Sequence, residues 1–328
     1  MRLKSTVRRS QHVGFWLAVL LASATPSTGQ EAAGNVDGTL TWELGVLEPG
    51  QTARETVLFV MGANYEEAHQ RLRQAREQFA TSTEPDRAAD RETAPGGTVW
   101  IENAFTDFAL QGPGHFFWEG NRQSFRGPAG GQLSRFGWYV HYDGERRAGT
   151  PILSPVPENL EVIESLGRVS PEEARLALET SDRALRLDLR ARMGNGPVVG
   201  VEFVLRNIGV ESVRDLRLTV YANPESAHTH MTDYAVLDRE AGALWVIDMP
   251  TRFHLAMAGL GRPTRGHAGT WASQAQLQSA SGVPVGQWSA LEQSQRMLDR
   301  LAEAGLPLEQ WIAFERDGHL LADLLLEY

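Results

Sequence analysis

Three side chains that could do chemistry lie close together in the sequence: His228, His230 and Asp233. On an extended segment, residues two apart point to the same side, so both imidazoles and the carboxylate could share a metal ion. The sequence offers no identifiable ligand beyond these three, and the segment follows a Pro-Glu-Ser turn. We therefore expect a hydrogen-bonded loop in preference to a metal site, and we expect no cofactor.

Aromatic and histidine side chains form a second group that could bind a ligand. His115, Phe117 and Trp118 lie in a glycine-rich loop, His141 lies in a following strand, and Trp271 lies in a later segment. Flat aromatic rings suit the apolar faces of sugars, and imidazole groups can bind hydroxyls. These five residues are the carbohydrate-binding candidates that the sequence provides.

The composition excludes several other kinds of site. The chain has no cysteine, so it has neither disulfides nor a thiolate nucleophile, and Lys4 is its only lysine. The sequence also lacks a glycine-rich phosphate loop, a G-x-S-x-G elbow and an H-E-x-x-H zinc motif. Phosphoryl transfer, Schiff-base chemistry and the common hydrolase mechanisms are therefore not expected.

The N-terminus is typical of an export signal. Residues 1–24 carry four basic side chains, then an apolar run from Val13 to Ala24 that is too short to span a bilayer as a helix, then an Ala-Ser-Ala cleavage pattern. An uncleaved anchor is the alternative. The formal net charge is −10, and removing the signal with its four basic residues makes it −14. We expect a secreted or periplasmic protein that binds neither nucleic acid nor anionic membranes.

The region from Leu185 to Leu260 predicts the fold. Apolar residues alternate with polar ones over two runs joined by an M-G-N-G-P turn, which predicts an antiparallel hairpin. The alternating apolar residues are Leu185, Leu187, Leu189, Ala191, Val199, Val201, Phe203 and Leu205.

Other elements follow from local patterns. Residues 40–62 predict a hairpin-like strand pair, and Asn64 with Glu67 has the capping-box spacing of a helix start. Residues 98–110 predict another strand pair. Residues 135–142 predict a strand that buries Phe136 and Trp138 and places Tyr139 and His141 on its other face. After Ser170, a helix with proline in its first turn and a strand are both compatible with the pattern.

The predicted fold class is mainly β, an antiparallel β-supersandwich with a few flanking α-helices. The expected organisation is a signal peptide over 1–24, a disordered leader over 25–36, a strand pair plus helix that completes the sandwich over 37–80, a linker over 81–97, a β-supersandwich body over 98–285 and a C-terminal helical segment over 286–328. The helical pieces of that last segment are 287–304, 308–314 and 319–328.

The strand and turn patterns resemble a known family. VVGVEFVLRNIGVESVRDLRLTVYANPE and SRFGWYVHYDGE are similar to the β-supersandwich (galactose mutarotase-like) domain that precedes the catalytic barrel of bacterial glucoamylases and glucodextranases. The resemblance covers residues 98–278. It implies a carbohydrate-linked fold.

The sequence departs from this family's pattern in two ways, and both affect what the resemblance implies about fold and function. The segment at 40–72 is similar to the closing part of such domains but precedes the body, so the domain is either permuted or carries the end of a lost neighbouring copy. We favour permutation, because a lone hairpin and helix would not be stable. Only residues 287–328 follow the sandwich, which is too short for the family's α/α barrel.

Three functions remain as hypotheses. The first is a non-catalytic carbohydrate-interacting or accessory protein whose partner is a polysaccharide or oligosaccharide. The second, implied by the mutarotase-like fold, is an enzyme with His228 or His230 as acid and Glu202 or Glu225 as base. The third is a structural surface protein that acts through contacts with an unidentified protein partner.

Overall fold

The computed structural model describes most residues between 30 and 270 and two short C-terminal segments. The described residues are 30–34, 36–81, 92–93, 97–117, 125–127, 130–133, 135–144, 146–150, 157–223, 233–238, 241–248, 253–270, 313–315 and 320–322. Within them, the chain forms one α-helix and otherwise antiparallel strands.

The elements in chain order are β1 (Gln30–Gly34), β2 (Val36–Leu47), β3 (Thr52–Gly62), α1 (Tyr65–Ala80), β4 (Glu92–Thr93), β5 (Thr98–Glu102), β6 (Asp107–Gln111), β7 (Phe116–Phe117), β8 (Phe125–Gly127), β9 (Gly130–Leu133), β10 (Arg135–Tyr142), β11 (Arg146–Gly149), β12 (Leu160–Ser170), β13 (Glu173–Thr180), β14 (Leu185–Met193), β15 (Val198–Asn207), β16 (Val213–Asn223), β17 (Asp233–Asp238), β18 (Ala243–Asp248), β19 (Phe253–Gly259), β20 (Arg265–Thr270), β21 (Ala313–Glu315) and β22 (Leu320–Ala322).

These strands form three sheets. The ten-stranded sheet has the order β1-β17-β18-β19-β3-β15-β14-β13-β12-β4, and the eight-stranded sheet has the order β11-β10-β16-β2-β20-β21-β22 with β7 paired to β10. A four-stranded sheet has the order β5-β6-β8-β9. The mainly β, antiparallel class predicted from the sequence is confirmed.

The two large sheets bury one apolar core between them. Trp138 of β10 meets Phe203 of β15 with ring centroids 5.8 Å apart, and Phe136 meets Phe59 of β3 at 5.4 Å, both edge to face. Phe108 of the four-stranded sheet packs on Phe59 at 6.1 Å. Because these aromatic contacts join different sheets, the third sheet closes part of the same core. Phe136 and Trp138 are core residues, as the sequence predicted.

The hairpin of β14 and β15 is confirmed. Leu185 pairs with Asn207 and Met193 with Val199, so the register is continuous through both strands. Along β14 the burial alternates residue by residue, with the predicted apolar face inside. The period-two pattern of this region therefore corresponds to one buried and one wetter face.

The predicted pairing of residues 40–62 as a hairpin is wrong. β2 lies between β16 and β20 in the eight-stranded sheet, whereas β3 lies between β15 and β19 in the ten-stranded sheet. The turn between them forms as expected, with Gln51 N–H donating to Glu48 O at 2.9 Å. The turn therefore connects a strand of one large sheet to a strand of the other. Residues 55–62 of β3 are buried on both faces, which favours a central position in the ten-stranded sheet over pairing with β2.

Strands also occur in segments predicted to be disordered or helical. In the leader, β1 pairs with β17, and in the linker, β4 pairs with β12. At the C-terminus, β21 and β22 extend the edge at β20 where short helical pieces were predicted. Edge strands are stabilised by backbone hydrogen bonds to the existing sheet. The local hydrophobic periodicity of a sequence gives no information about such bonds. Of the helix and the strand that were both compatible with the pattern after Ser170, the structure shows the strand, β13. The predicted helix at 287–304 lies outside the described residues.

An ion-pair group on the ten-stranded sheet is expected to make stability depend on acid pH. The Glu173 carboxylate accepts from Arg190 Nη2 at 2.6 Å and also from Arg175 Nε. Burial would raise the pKa of Glu173, but the hydrogen bonds and charges of Arg190 and Arg175 outweigh burial and lower it. Its contribution to stability is therefore complete above the ordinary pKa of 4.5 and is lost as pH falls through the lower folded-state pKa.

We expect Glu173→Gln to lower the free energy of unfolding at pH 7 by about 2 kcal/mol, since two hydrogen bonds to a charged group are weakened. Urea unfolding at pH 7 and at lower pH values measures this, and the difference between variant and wild type should shrink in acid. The control is Glu172→Gln, which removes an exposed carboxylate next to Glu173. Equal losses for both variants at pH 7 would contradict the prediction.

Candidate functional site

Helix α1 starts at a polar cap directly after β3. The Asn64 Oδ1 accepts from the Glu67 N–H at 2.9 Å, and the Glu67 carboxylate accepts from the Ala63 N–H at 2.8 Å. The two bonds confirm the predicted helix start and its capping residues. The helix lies on the outer face of the ten-stranded sheet and buries one stripe of side chains: Ala68, Leu72, Ala75 and Phe79.

One edge of this helix carries rings that meet rings of the sheet. Tyr65 and His69 are four residues apart, which places them on the same side of the helix. The Tyr65 ring lies 5.0 Å from the ring of Trp245 in β18 and 6.2 Å from that of His254 in β19. His69 stacks on Trp245 at 5.9 Å and on Tyr65 at 5.6 Å. We call Tyr65, His69, Trp245 and His254 the aromatic ledge.

The ledge combines one exposed ring with buried rings beneath it. Tyr65 is 47% exposed, whereas Trp245 is 1% exposed and His254 is 7% exposed. The indole Nε1 of Trp245 is buried and has no hydrogen-bond partner among the residues that the structure describes. Because the buried rings fix its position, the exposed face of Tyr65 is a flat apolar surface that loses little freedom when a ligand covers it.

Polar groups border the ledge on two sides. Asp238, at the end of β17, accepts from the Tyr65 hydroxyl at 3.4 Å and from the Ala241 N–H at 2.8 Å. On the helix, the Arg73 guanidinium lies 3.0 Å from Nδ1 of His69. The carboxylate beside the exposed Tyr65 ring can accept hydrogen bonds from hydroxyl groups of a molecule stacked on that ring, and the guanidinium beside His69 can donate to groups that extend along the helix.

For three of the predicted carbohydrate-binding residues, the structure describes no side chain. Trp118 and Trp271 lie outside the described residues. For Phe117 the structure describes the backbone, which pairs with Arg135 of β10. Their assignment to a sugar site therefore stays a prediction.

The other two candidates, His115 and His141, are both buried. His115 is 5% exposed, and neither ring nitrogen has a hydrogen-bond partner in the described part of the chain. Burial lowers the pKa of its imidazole to about 4. His141 is 6% exposed. The segment that contains His115 meets β10 at Phe136, five residues or roughly 16 Å along the strand from His141. The structure therefore places the two histidines at different ends of β10.

Of the residues considered for metal or acid–base chemistry, the structure describes only Asp233 and Glu202. His228, His230 and Glu225 lie outside the described residues, and the described backbone of Asp233 begins β17. Glu202 of β15 forms an ion pair with Arg54 at 3.0 Å. Within the part of the chain that the structure describes, no group of three or more histidine and acidic side chains could hold a metal ion.

Comparisons with protein-family models, with characterised proteins and with solved structures found no match to this chain. Among the described residues, no helix combines the length and apolar character needed to cross a membrane.

Sequence reasoning missed the aromatic ledge. Its members come from a helix and from strands nearly two hundred residues later, so no local motif contains them. One signal was available: Tyr65 and His69 have the i, i+4 spacing of neighbours on a helix face outside the stripe that packs on the sheet. That spacing indicates a ring pair on the surface but not the strands that complete it.

Proposed function

We propose that this chain is an exported, non-catalytic protein that interacts with carbohydrate, either as a binding protein or as an accessory module, and that its ligand stacks on the aromatic ledge. The observation that carries the proposal is the half-exposed Tyr65 ring held against the buried Trp245. The predicted signal peptide supports export, and the resemblance to glucoamylase-associated sandwich domains supports a sugar ligand.

The ledge offers what a sugar ring requires. One face of a pyranose presents C–H groups, which pack on a flat aromatic ring, while its hydroxyls point outward at the edge. Asp238 lies at the Tyr65 hydroxyl as an acceptor, and Arg73 lies beside His69, further along α1, as a donor. Asp238 already accepts two hydrogen bonds, which suits it to position a ligand rather than to transfer protons.

A structural surface protein is the second candidate, and one observation favours it. On β12, near the edge of the ten-stranded sheet, Val162 and Ile163 are 52% and 44% exposed. Exposed apolar side chains on an outer strand are typical of protein contact sites. The enzyme alternative remains a prediction, since three of its four candidate residues, His228, His230 and Glu225, lie outside the described residues.

Affinity electrophoresis against soluble polysaccharides, α-glucans included, tests the proposal. We expect retardation by at least one polymer, and we expect Tyr65→Ala to weaken that binding by roughly tenfold, because the stacking surface is removed. Tyr65→Phe keeps the ring and should retain most of the affinity.

Phe105→Ala is the matched control, since Phe105 is also exposed, at 57%, but lies in the turn between β5 and β6. Trp118→Ala and Trp271→Ala test the site predicted from the sequence. Retardation that depends on those tryptophans and not on Tyr65 would move the site away from the ledge. Absence of retardation by every polymer would reject the carbohydrate proposal and favour the protein-contact candidate.

A further inference from the structure

A row of charged and imidazole side chains crosses the outer face of the eight-stranded sheet. In the register of the strands, Arg147 of β11 lies opposite His141 of β10, His141 opposite Arg217 of β16, and Arg217 opposite Glu43 of β2. Directly opposed residues of a sheet project from the same face. The even-numbered residues of β10, among them Val140 and Tyr142, belong to the core. His141 is odd-numbered and therefore projects from the other face of the strand, so this row faces away from the core.

His141 is a buried imidazole in a positive environment. It is 6% exposed, and its Nε2 has no hydrogen-bond partner among the described residues. Burial first, and then the charges of Arg147 and Arg217, together lower the pKa of His141 to about 3. The imidazole is therefore neutral at physiological pH, and among the described residues the charges that act on it are cationic.

Arg147 also has a nitrogen without a partner. Its Nη2 pairs with the Glu158 carboxylate, and its guanidinium lies over the Tyr139 ring at 4.8 Å from the centroid. The remaining Nη1 is buried and makes no hydrogen bond within the part of the chain that the structure describes. A buried guanidinium N–H, and beside it the Nε2–H of the matching His141 tautomer, cost free energy unless a further molecule supplies an acceptor.

Exposure increases along the row. His141 is buried, Arg217 is half-buried and Glu43 is exposed. Arg217 Nε donates to the Asp215 carbonyl oxygen at 3.2 Å. A ligand of this row would therefore enter from its Arg217 end.

We propose that Arg147, His141 and Arg217 form a binding site for a small oxyanion, a carboxylate or a phosphate. Oxyanion oxygens would accept from the free Nη1 of Arg147 and from the Arg217 guanidinium, and the third contact would be an N–H of His141. Guanidinium groups are the side chains best shaped for carboxylate and phosphate oxygens. This site lies on the opposite large sheet from the aromatic ledge, so it does not depend on the carbohydrate proposal.

Isothermal titration calorimetry of the full chain with sodium glucuronate and, separately, with sodium phosphate tests this site, at constant ionic strength set with sodium chloride. We expect saturable binding of at least one of the two, and the one that saturates identifies the oxyanion. Arg217→Gln should weaken that binding by about tenfold or more, since a charge-assisted hydrogen bond is lost. Far-ultraviolet circular dichroism checks that the variant folds.

Arg214→Gln is the matched control, because it removes the same charge from an exposed position of the same strand. His141→Phe is a second variant that keeps an aromatic ring of similar size. It should abolish oxyanion binding and leave the fold at least as stable, because it removes an unsatisfied buried nitrogen. Tyr65→Ala should bind the oxyanion as wild type does. Equal weakening by Arg217→Gln and Arg214→Gln, or saturable binding in neither titration, would overturn the proposal.

Discussion

Asn207→Ala is expected to lower the free energy of unfolding by about 3 kcal/mol, since three hydrogen bonds of one buried side chain are lost together. Asn207 ends β15 and is fully buried. Its Nδ2 donates to Leu47 O at 2.7 Å and to Glu211 O at 2.8 Å, and its Oδ1 accepts from the Gly209 N–H at 2.9 Å. One side chain thus ties the end of β2 in one large sheet to the end of β15 in the other.

Urea unfolding followed by tryptophan fluorescence measures this loss. Asn207→Asp separates hydrogen bonding from volume, because it keeps the acceptor for Gly209 but points an oxygen at the carbonyls of Leu47 and Glu211. We expect it to be as destabilising as alanine. Asn195→Ala is the control, since Asn195 is exposed and bonds to Gln78 through its backbone. A loss below about 1 kcal/mol for Asn207→Ala would contradict the account.

Gly62→Ala is expected to cost about 3 kcal/mol, because the added methyl group overpacks a backbone contact. Gly62 ends β3 directly beneath α1. A Cβ at this position would lie 2.5 Å from Ala68 N and 2.7 Å from Ala68 Cα. These are backbone atoms, so the relief must come from moving the helix off the sheet. Movement of the helix would expose the apolar stripe that contains Leu72 and Phe79.

The matched control is Gly209→Ala, where an added Cβ would meet its nearest atoms at 3.5 to 3.8 Å, an ordinary contact distance. We expect this variant to unfold within about 0.5 kcal/mol of wild type, as surface substitutions usually do. Chemical denaturation compares the two glycines directly. Because Tyr65 lies on the displaced helix, Gly62→Ala should also weaken any polysaccharide binding at the ledge. Equal stability of the two variants would show that the helix can shift at no cost.

Where local pattern and tertiary environment agreed, the sequence predicted the structure. The alternation from Leu185 onward gave a hairpin with the expected face buried, because that face packs on the other sheet. Asn64 and Glu67 predicted the start of α1, since a capping box is a contact within six residues. The strand pair at 98–110 formed as β5 and β6 for the same reason: a short turn brings neighbours into register.

Predictions failed where pairing partners are distant. The run at 40–62 looked like a hairpin, but β2 and β3 each gained two neighbours from elsewhere in the chain, in different sheets. The leader and the C-terminal segments contribute edge strands for which side-chain patterning gives no signal. His141 was expected on the more polar face of its strand, and it is there, yet that face is buried as well.

The sequence by itself determined the mainly β class, the central hairpin, the start of the helix and the absence of cysteine chemistry. These depend on composition and on contacts between residues near in sequence. Only the tertiary structure decided which strands share a sheet, that Tyr65 meets Trp245 and His254, and that His141 lies between two arginines. The physical reason is that both sites are assembled by cross-strand register and by helix docking. Those arrangements follow from burying the whole core at once, and no single segment specifies them.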